Sequence, residues 1–163
     1  MEVPLLVNDF LNRSAALYPD KIAIVDGERS FTYKEFQERA NRLSHALLSA
    51  GIRKGDRVCV LSPNSHFFLE SFYGVSQIGA VLVPLNYRLV SADHEYIIDH
   101  AGVKAVLVDY EYVDSIEAIR SSLGTVETWV IAQEEREARE GWIAWESWIE
   151  NRSVEPVADP GLC

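Results

Sequence analysis

Cysteine is scarce in this chain of 163 residues: Cys59 and Cys163 are its only two, one inside an apolar run and one at the last position. Such a pair makes no disulfide framework of the kind small secreted domains require, so a reducing cytoplasm is the expected compartment. Basic charge is short as well. Fifteen Lys and Arg face 25 Asp and Glu, a formal net charge of −10, whereas a nucleic-acid surface needs a basic stripe. Long apolar runs are missing, and none approaches the roughly 18 residues of a membrane span. The opening MEVPLLVNDF is acidic and carries no extended apolar stretch, so it does not read as a secretory signal.

Glycine is thin where phosphate loops need it. A dinucleotide fingerprint asks for three closely spaced glycines after the first parallel strand, and there the chain reads Ser62-Pro63-Asn64-Ser65. The glycines at 51 and 55 precede a strand instead of following one, and no Walker lysine motif occurs. Metal-ligand spacing is lacking too. His94-Glu95 opens like a zincin helix, but Ile98 stands where the second histidine belongs. His45, His66, His94 and His100 fall on three different expected helices, so they read as surface or core residues. Neither Ser62 nor Ser65 has the flanking glycine of a nucleophile elbow, and Cys59 reads as a small core hydrophobe.

What is present is a strong alternation. Arg57 to Asn86, RVCVLSPNSHFFLESFYGVSQIGAVLVPLN, reads as buried strand, helix, buried strand. The short β-branched runs Val58–Leu61 and Ala80–Leu85 suit central strands covered on both faces. Between them, Phe67, Phe68, Leu69, Phe72, Tyr73, Val75 and Ile78 predict a largely buried crossover helix ended near Gly79. Upstream, residues 6–18 read as a helix with Phe10, Leu11, Ala15 and Leu17/Tyr18 on one face. Ile22–Val25 and Ser30–Tyr33 around Asp26-Gly27 read as a hairpin with those two residues at its turn. Thr32 and Glu35 fit a capping box for a long helix marked by Phe36, Ala40, Leu43, Leu47 and Ala50, with Gly51 as its stop. Downstream, the pattern gives a helix capped by Ser91 and ended by Gly102, then a strand over 104–108. A helix through Val113, Ile116, Ile119 and Leu123 follows, and a strand over 129–131. The fold expected is α/β: an open, mostly parallel sheet with helices on both faces, preceded by an N-terminal helix and β-hairpin.

The last thirty residues change character. Positions 133–163 hold eight carboxylates against three arginines, a net −5. Glu134–Glu140 reads as a charged helical segment. Trp142, Ile143, Trp145, Trp148 and Ile149 form a stripe that suits a helix docked back on the domain or, alternatively, a partner-binding face. From Asn151 onward, two prolines and no periodicity suggest a linker.

Ligands of open α/β sheets gather beyond the carboxyl ends of strands. Here those ends are Ser62–Ser65, where a helix cap is the simpler account, and the loop holding Asn86, Tyr87 and Arg88. An amide, an aromatic ring and a cation on one loop suit a nucleotide-bearing ligand, although loops carry such residues routinely.

These pieces form an ordered set: IAIVDGERSFTY, then YKEFQERANRLSHALLSAGIRKGDRV, VLSPNS, GVSQIGAVLVPLNYRL and EYIIDHAGVKAVLVD. Over about residues 5–132 the set resembles the start of the acyl-adenylate-forming enzymes, and VPLNYRL is most similar to fatty- or aryl-acyl-CoA ligases. The resemblance implies a two-step reaction. ATP with Mg²⁺ and a carboxylic acid, fatty or aryl, give an acyl-adenylate, from which the thiol of CoA displaces AMP. The Ser/Thr/Gly-rich phosphate loop ending in lysine, and the C-terminal lysine of such enzymes, have no counterpart here, so no catalytic residue is carried over. By the same resemblance Asn86, Tyr87 and Arg88 become peripheral CoA-side contacts. Residues 1–132 are then an N-terminal α/β subdomain, 133–150 an acidic Trp-rich helical segment, and 151–163 a linker toward an ATP-binding part. Such a piece is expected to be inert alone and open to homo-oligomer formation. A standalone binding module built on the scaffold is the other reading. A flavodoxin- or receiver-like domain would share the sheet pattern, but not the hairpin and capped helix ahead of the first parallel strand.

Overall fold

The computed structural model describes residues 6–132, 139–158 and 161. In chain order these form α1 (Val7–Leu17), β1 (Ile22–Asp26), β2 (Arg29–Thr32), α2 (Tyr33–Ser49), β3 (Arg57–Leu61), α3 (His66–Ser76), β4 (Val81–Leu85), α4 (Ser91–Ala101) and β5 (Val103–Asp109). The remainder comprises α5 (Val113–Glu117), β6 (Thr128–Ala132), β7 (Ile143–Ala144) and α6 (Trp145–Glu150). The hairpin β1–β2 is antiparallel. The other five strands make one parallel sheet in the order β4-β3-β5-β6-β7.

Alternation along the strands sorts the core into two layers. Val58 and Val60 of β3, Ala105 and Leu107 of β5 and Val130 of β6 meet α2, α3 and α6 through Leu43, Leu47, Phe67, Val75 and Trp145. Their neighbours Cys59, Leu61, Val106, Val108 and Ile131 point the other way, toward Ile98 of α4 and Val113 and Ile116 of α5. A sheet buried on both faces reads in sequence as unbroken apolar runs, and these strands do. A third, smaller cluster joins Leu11 of α1, Ile24 and Phe31 of the hairpin, and Phe36 and Ala40 of α2.

Several sequence expectations are met in detail. The Thr32–Glu35 capping box forms, with Glu35 Oε2 2.7 Å from the Thr32 N–H it accepts, and Gly102 ends α4 at φ 61°. Others are corrected. The hairpin turn is Gly27-Glu28, because Asp26 pairs with Arg29 as the last strand residue, which leaves the Asp26 carboxylate free to reach α3. The run at 80–85 is an edge strand, not a central one, with Val81 48 % exposed. Pro84, which lacks a ladder donor, is the residue that marks it. Its crossover helix α3 is buried on one side only, and Leu69 and Phe72 are exposed. Ser91 is the first residue of α4 and makes no cap bond. The stretch 110–122 breaks into two 3₁₀ turns around the short α5, yet Val113, Ile116, Ile119 and Leu123 are all buried.

The tryptophan stripe docks, as one of its two readings expected, but it contributes a strand first: β7 pairs with β6 before α6 begins. Trp142, Trp145 and Ile149 are buried. Trp129 and Trp142 meet edge to face at 5.6 Å, and the Arg120 guanidinium packs against both rings, 4.7 and 5.1 Å from their centroids. Most of the expected charged helix at 134–140 lies outside the described residues. Residues 151–158 run along α2, where the Val154 carbonyl accepts from Asn41 at 2.7 Å and the Glu155 carbonyl from His45 at 3.0 Å.

Candidate functional site

Parallel strands deliver their carboxyl ends to one edge of the sheet. The chain turns from β3 to β4 on one side and returns to β5 on the other, so the strand order reverses between β3 and β5. Crevices at such reversals are where open α/β sheets bind ligands. An open cleft of about 390 Å³ lies at this edge, walled by Asp26, His66, Asp109, Glu111, Trp145 and Glu146 among others.

The loop after β3 supplies the near wall. Ser65 caps α3 by accepting the Phe68 N–H at 3.2 Å, and its hydroxyl lies 3.0 Å from that of Ser62. The helix-cap account of Ser62–Ser65 is therefore the one realised. Asp26 reaches across from the hairpin and accepts both the backbone N–H of His66 at 2.9 Å and its Nδ1–H at 2.6 Å. Those two bonds, the backbone one foremost, hold the Asp26 carboxyl below its ordinary range. When neutral, His66 then keeps its lone pair on Nε2. Its ring stacks on Phe31 at 5.1 Å. Burial pushes the Asp109 carboxyl up.

Behind the cleft sits an ion network. Arg39 of α2 grips the fully buried Glu70 of α3 through Nε at 2.5 Å and Nη2 at 3.1 Å. It also reaches Glu146 of α6 at 2.8 and 3.0 Å. Burial pushes the Glu70 carboxyl up, against the pull of Arg39. Burial acts against the Arg39 charge too, but the bonds to Glu70 and Glu146 outweigh it and raise its pKa. A guanidinium forked onto two carboxylates is a clasp, and it ties α2, α3 and α6 into one unit. Sequence reasoning passed over this cluster. The available signal was Glu70 itself, a carboxylate on the α3 face shared with Phe67 and Gly74, where burial demands a cation.

The second position on the carboxyl edge is the loop after β4, and the structure brings its three expected residues together. Asn86 Oδ1 accepts the Arg88 N–H at 3.0 Å, and the Asn86 carbonyl accepts the Leu89 N–H at 3.1 Å, so the chain makes a tight turn. The Arg88 guanidinium stands 5.6 Å over the Tyr87 ring, which in turn contacts Tyr112 at 5.5 Å. Arg88 is exposed, held from one side by an aromatic face and open to a ligand from the other. Cys59 is not part of either place: it is fully buried in β3, and burial pushes its thiol up to about 12.

A family model described as AMP-binding enzyme matches residues 11–160. The chain belongs to the AMP-binding enzyme family. Among the relatives of this family member, a long-chain-fatty-acid–CoA ligase of Thermus thermophilus is 37 % identical over 98 % of the chain and 30 % of its own length. A 4-hydroxybutyrate–CoA ligase of Metallosphaera sedula is 37 % identical over 74 % of the chain and 21 % of its own. Among solved structures, an anthranilate CoA ligase in complex with anthranoyl-AMP superposes with a TM-score of 0.91 at 27 % identity, covering 98 % of this chain and 30 % of that one. The chain thus spans under a third of the curated relatives it matches, and it corresponds to their N-terminal part. Among the described residues no helix is long and apolar enough to cross a membrane.

Proposed function

We propose that this chain is the N-terminal scaffold of a cytoplasmic ATP-dependent acyl-CoA ligase acting on a fatty or aryl carboxylic acid. The observation that carries this reading is the match of an AMP-binding enzyme model to nearly the whole chain, alongside fatty- and aryl-acid CoA ligases among its relatives. In such a reaction ATP activates the carboxylate as an acyl-adenylate and CoA takes the acyl group. This chain's residues do not fit the ATP and Mg²⁺ part. Among the described residues no three His, Cys, Asp or Glu side chains are grouped to hold a metal ion, and the sequence offers no phosphate loop. No step at the metal is assigned to them. The loop after β4 does fit an anion: guanidinium matches phosphate geometry, and the Tyr87 face supports it from behind. Asn86, Tyr87 and Arg88 are read as peripheral contacts to the nucleotide part of CoA.

The test is to follow the reading frame past Cys163, express the resulting protein, and assay acyl-CoA formation from fatty and aryl acids with ATP, Mg²⁺ and CoA. Acyl-CoA product supports the ligase reading, with Arg88→Ala raising the KM for CoA several-fold. A frame that closes at once, or no product with any acid, sinks it.

A second reading is a standalone binding module built on this scaffold, favoured by the way Trp142, Trp145 and Ile149 close back on the domain. Exposed apolar side chains elsewhere favour the fragment instead. Phe10, Leu17 and Tyr18 of α1 and its C-terminal cap, and Ile22 and Val25 of β1, are each more than half exposed, and apolar exposure of this kind drives association when it is contiguous. A concentration-independent monomer in size-exclusion chromatography would favour the self-sufficient module, and concentration-dependent oligomers the fragment.

A further inference from the structure

His94 lies in the first turn of α4 and is 1 % exposed. Its Nε2 is 3.0 Å from the carbonyl oxygen of Asn86. A carbonyl can only accept, so Nε2 carries the proton and donates. The other ring nitrogen, Nδ1, is buried with no hydrogen-bond partner among the described residues. An imidazole placed this way gains one hydrogen bond but leaves one buried nitrogen unpaired, which an apolar side chain of similar size would not. What the imidazole does and an apolar residue could not do is hold Asn86.

Asn86 is the hinge of the whole turn. Its side chain fixes the Arg88 amide, and its carbonyl takes the Leu89 amide and His94 together. From the same turn the Tyr87 ring meets Tyr112, and the Arg88 guanidinium sits over Tyr87. We infer that His94 is the positioning residue of this turn, and that its bond to the Asn86 carbonyl sets the pose in which Arg88 meets a phosphate-bearing ligand. The inference rests on the CoA-side reading of Arg88 given above and names the residue outside the loop on which that reading depends.

Two substitutions separate positioning from packing. His94→Leu fills the space and removes the donor. His94→Gln places an amide N–H at about the reach of Nε2. In the 163-residue chain, amide hydrogen exchange of Arg88 and Leu89 is followed beside the thermal midpoint. His94→Leu should speed exchange at both amides about fivefold, the factor one ordinary hydrogen bond supplies, while the midpoint holds. His94→Gln should restore slow exchange. In the full-length ligase, His94→Leu should raise the KM for CoA with kcat unchanged, and His94→Gln should return it.

Unaltered exchange in His94→Leu would overturn the proposal. So would an unaltered KM for CoA in His94→Leu when Arg88→Ala raises it. If exchange quickens but neither variant moves the KM, the anchoring stands on the exchange data and the CoA reading of Arg88 falls instead. A drop in thermal midpoint with unchanged loop exchange assigns His94 to packing and overturns the proposal as well.

Discussion

Asp26 and Arg39 each earn their place by what they neutralise. The Asp26 carboxylate is stabilised by the two N–H groups of His66, so its pKa lies lower in the folded chain than in the unfolded one. A lowered folded pKa means the unfolded state binds the proton more readily. The stabilisation is therefore complete above the unfolded value, about 4, and is lost as pH falls through the folded value. We expect Asp26→Asn to cost about 1–2 kcal/mol at neutral pH, allowing for partial solvent screening. The gap to the parent chain should close as urea unfolding is repeated at successively lower pH below about 4. A gap that is constant with pH would contradict the charge argument. At Arg39 the magnitude is larger, since its loss strands a carboxylate that is fully buried. Arg39→Met should cost about 3–5 kcal/mol, whereas the double change Arg39→Met with Glu70→Leu should recover most of it, because no buried charge remains unpaired. Unfolding free energies of the single and double variants decide between these outcomes.

Elements in this fold approach closely where the sequence offers small residues. Helices α2 and α3 meet at Gly74, where an added Cβ would lie 2.6 Å from Leu43 Cδ2 and 3.0 Å from the Ala40 carbonyl oxygen. Ser44 fills the same seam by donating to the Gly74 carbonyl at 2.7 Å. In an open helix Gly→Ala gains about 1 kcal/mol, but overpacking a tight core costs about 1–3 kcal/mol. Gly74→Ala should therefore lower the urea midpoint, and a raised midpoint would show that the helices can part freely. The pairing of Asp26 with Arg29 also operates at this scale. Moving the turn to Gly27-Glu28, with Gly27 at φ 59°, is what turns the Asp26 side chain toward α3. The sequence showed the hairpin; the one-residue difference in register came from pairing between strands, which no local pattern displays.

At the scale of the molecule, the sheet is covered on both faces, but the sequence carries no Ser/Thr/Gly-rich phosphate loop ending in lysine. Phosphoryl and adenylyl transfer depend on preorganised charge around the phosphates. The chain by itself should show no ATP- and carboxylate-dependent pyrophosphate exchange above background, and exchange with any fatty or aryl acid would refute this. The clasp of Arg39 on Glu146 and the packing of Trp142 against Trp129 and Arg120 make the 142–150 segment part of the domain. The Trp-rich part of the tail is therefore docked, despite the acidity around it.

By itself the sequence determined the helix and strand alternation, the capping box at Thr32, the buried character of β3, β5 and β6, and the ordered motifs that resemble adenylate-forming ligases. These are local properties, written in side-chain periodicity and in short runs of residues. Tertiary structure alone decided that β4 is an edge, that Ile143–Ala144 adds a fifth parallel strand, that Arg39 joins Glu70 to Glu146, and that His94 reaches Asn86. Each of these pairs residues distant in the chain or depends on which strand lies beside which. Such choices follow from the packing of whole layers, where the partner of a buried charge or an open strand edge is set by geometry in three dimensions.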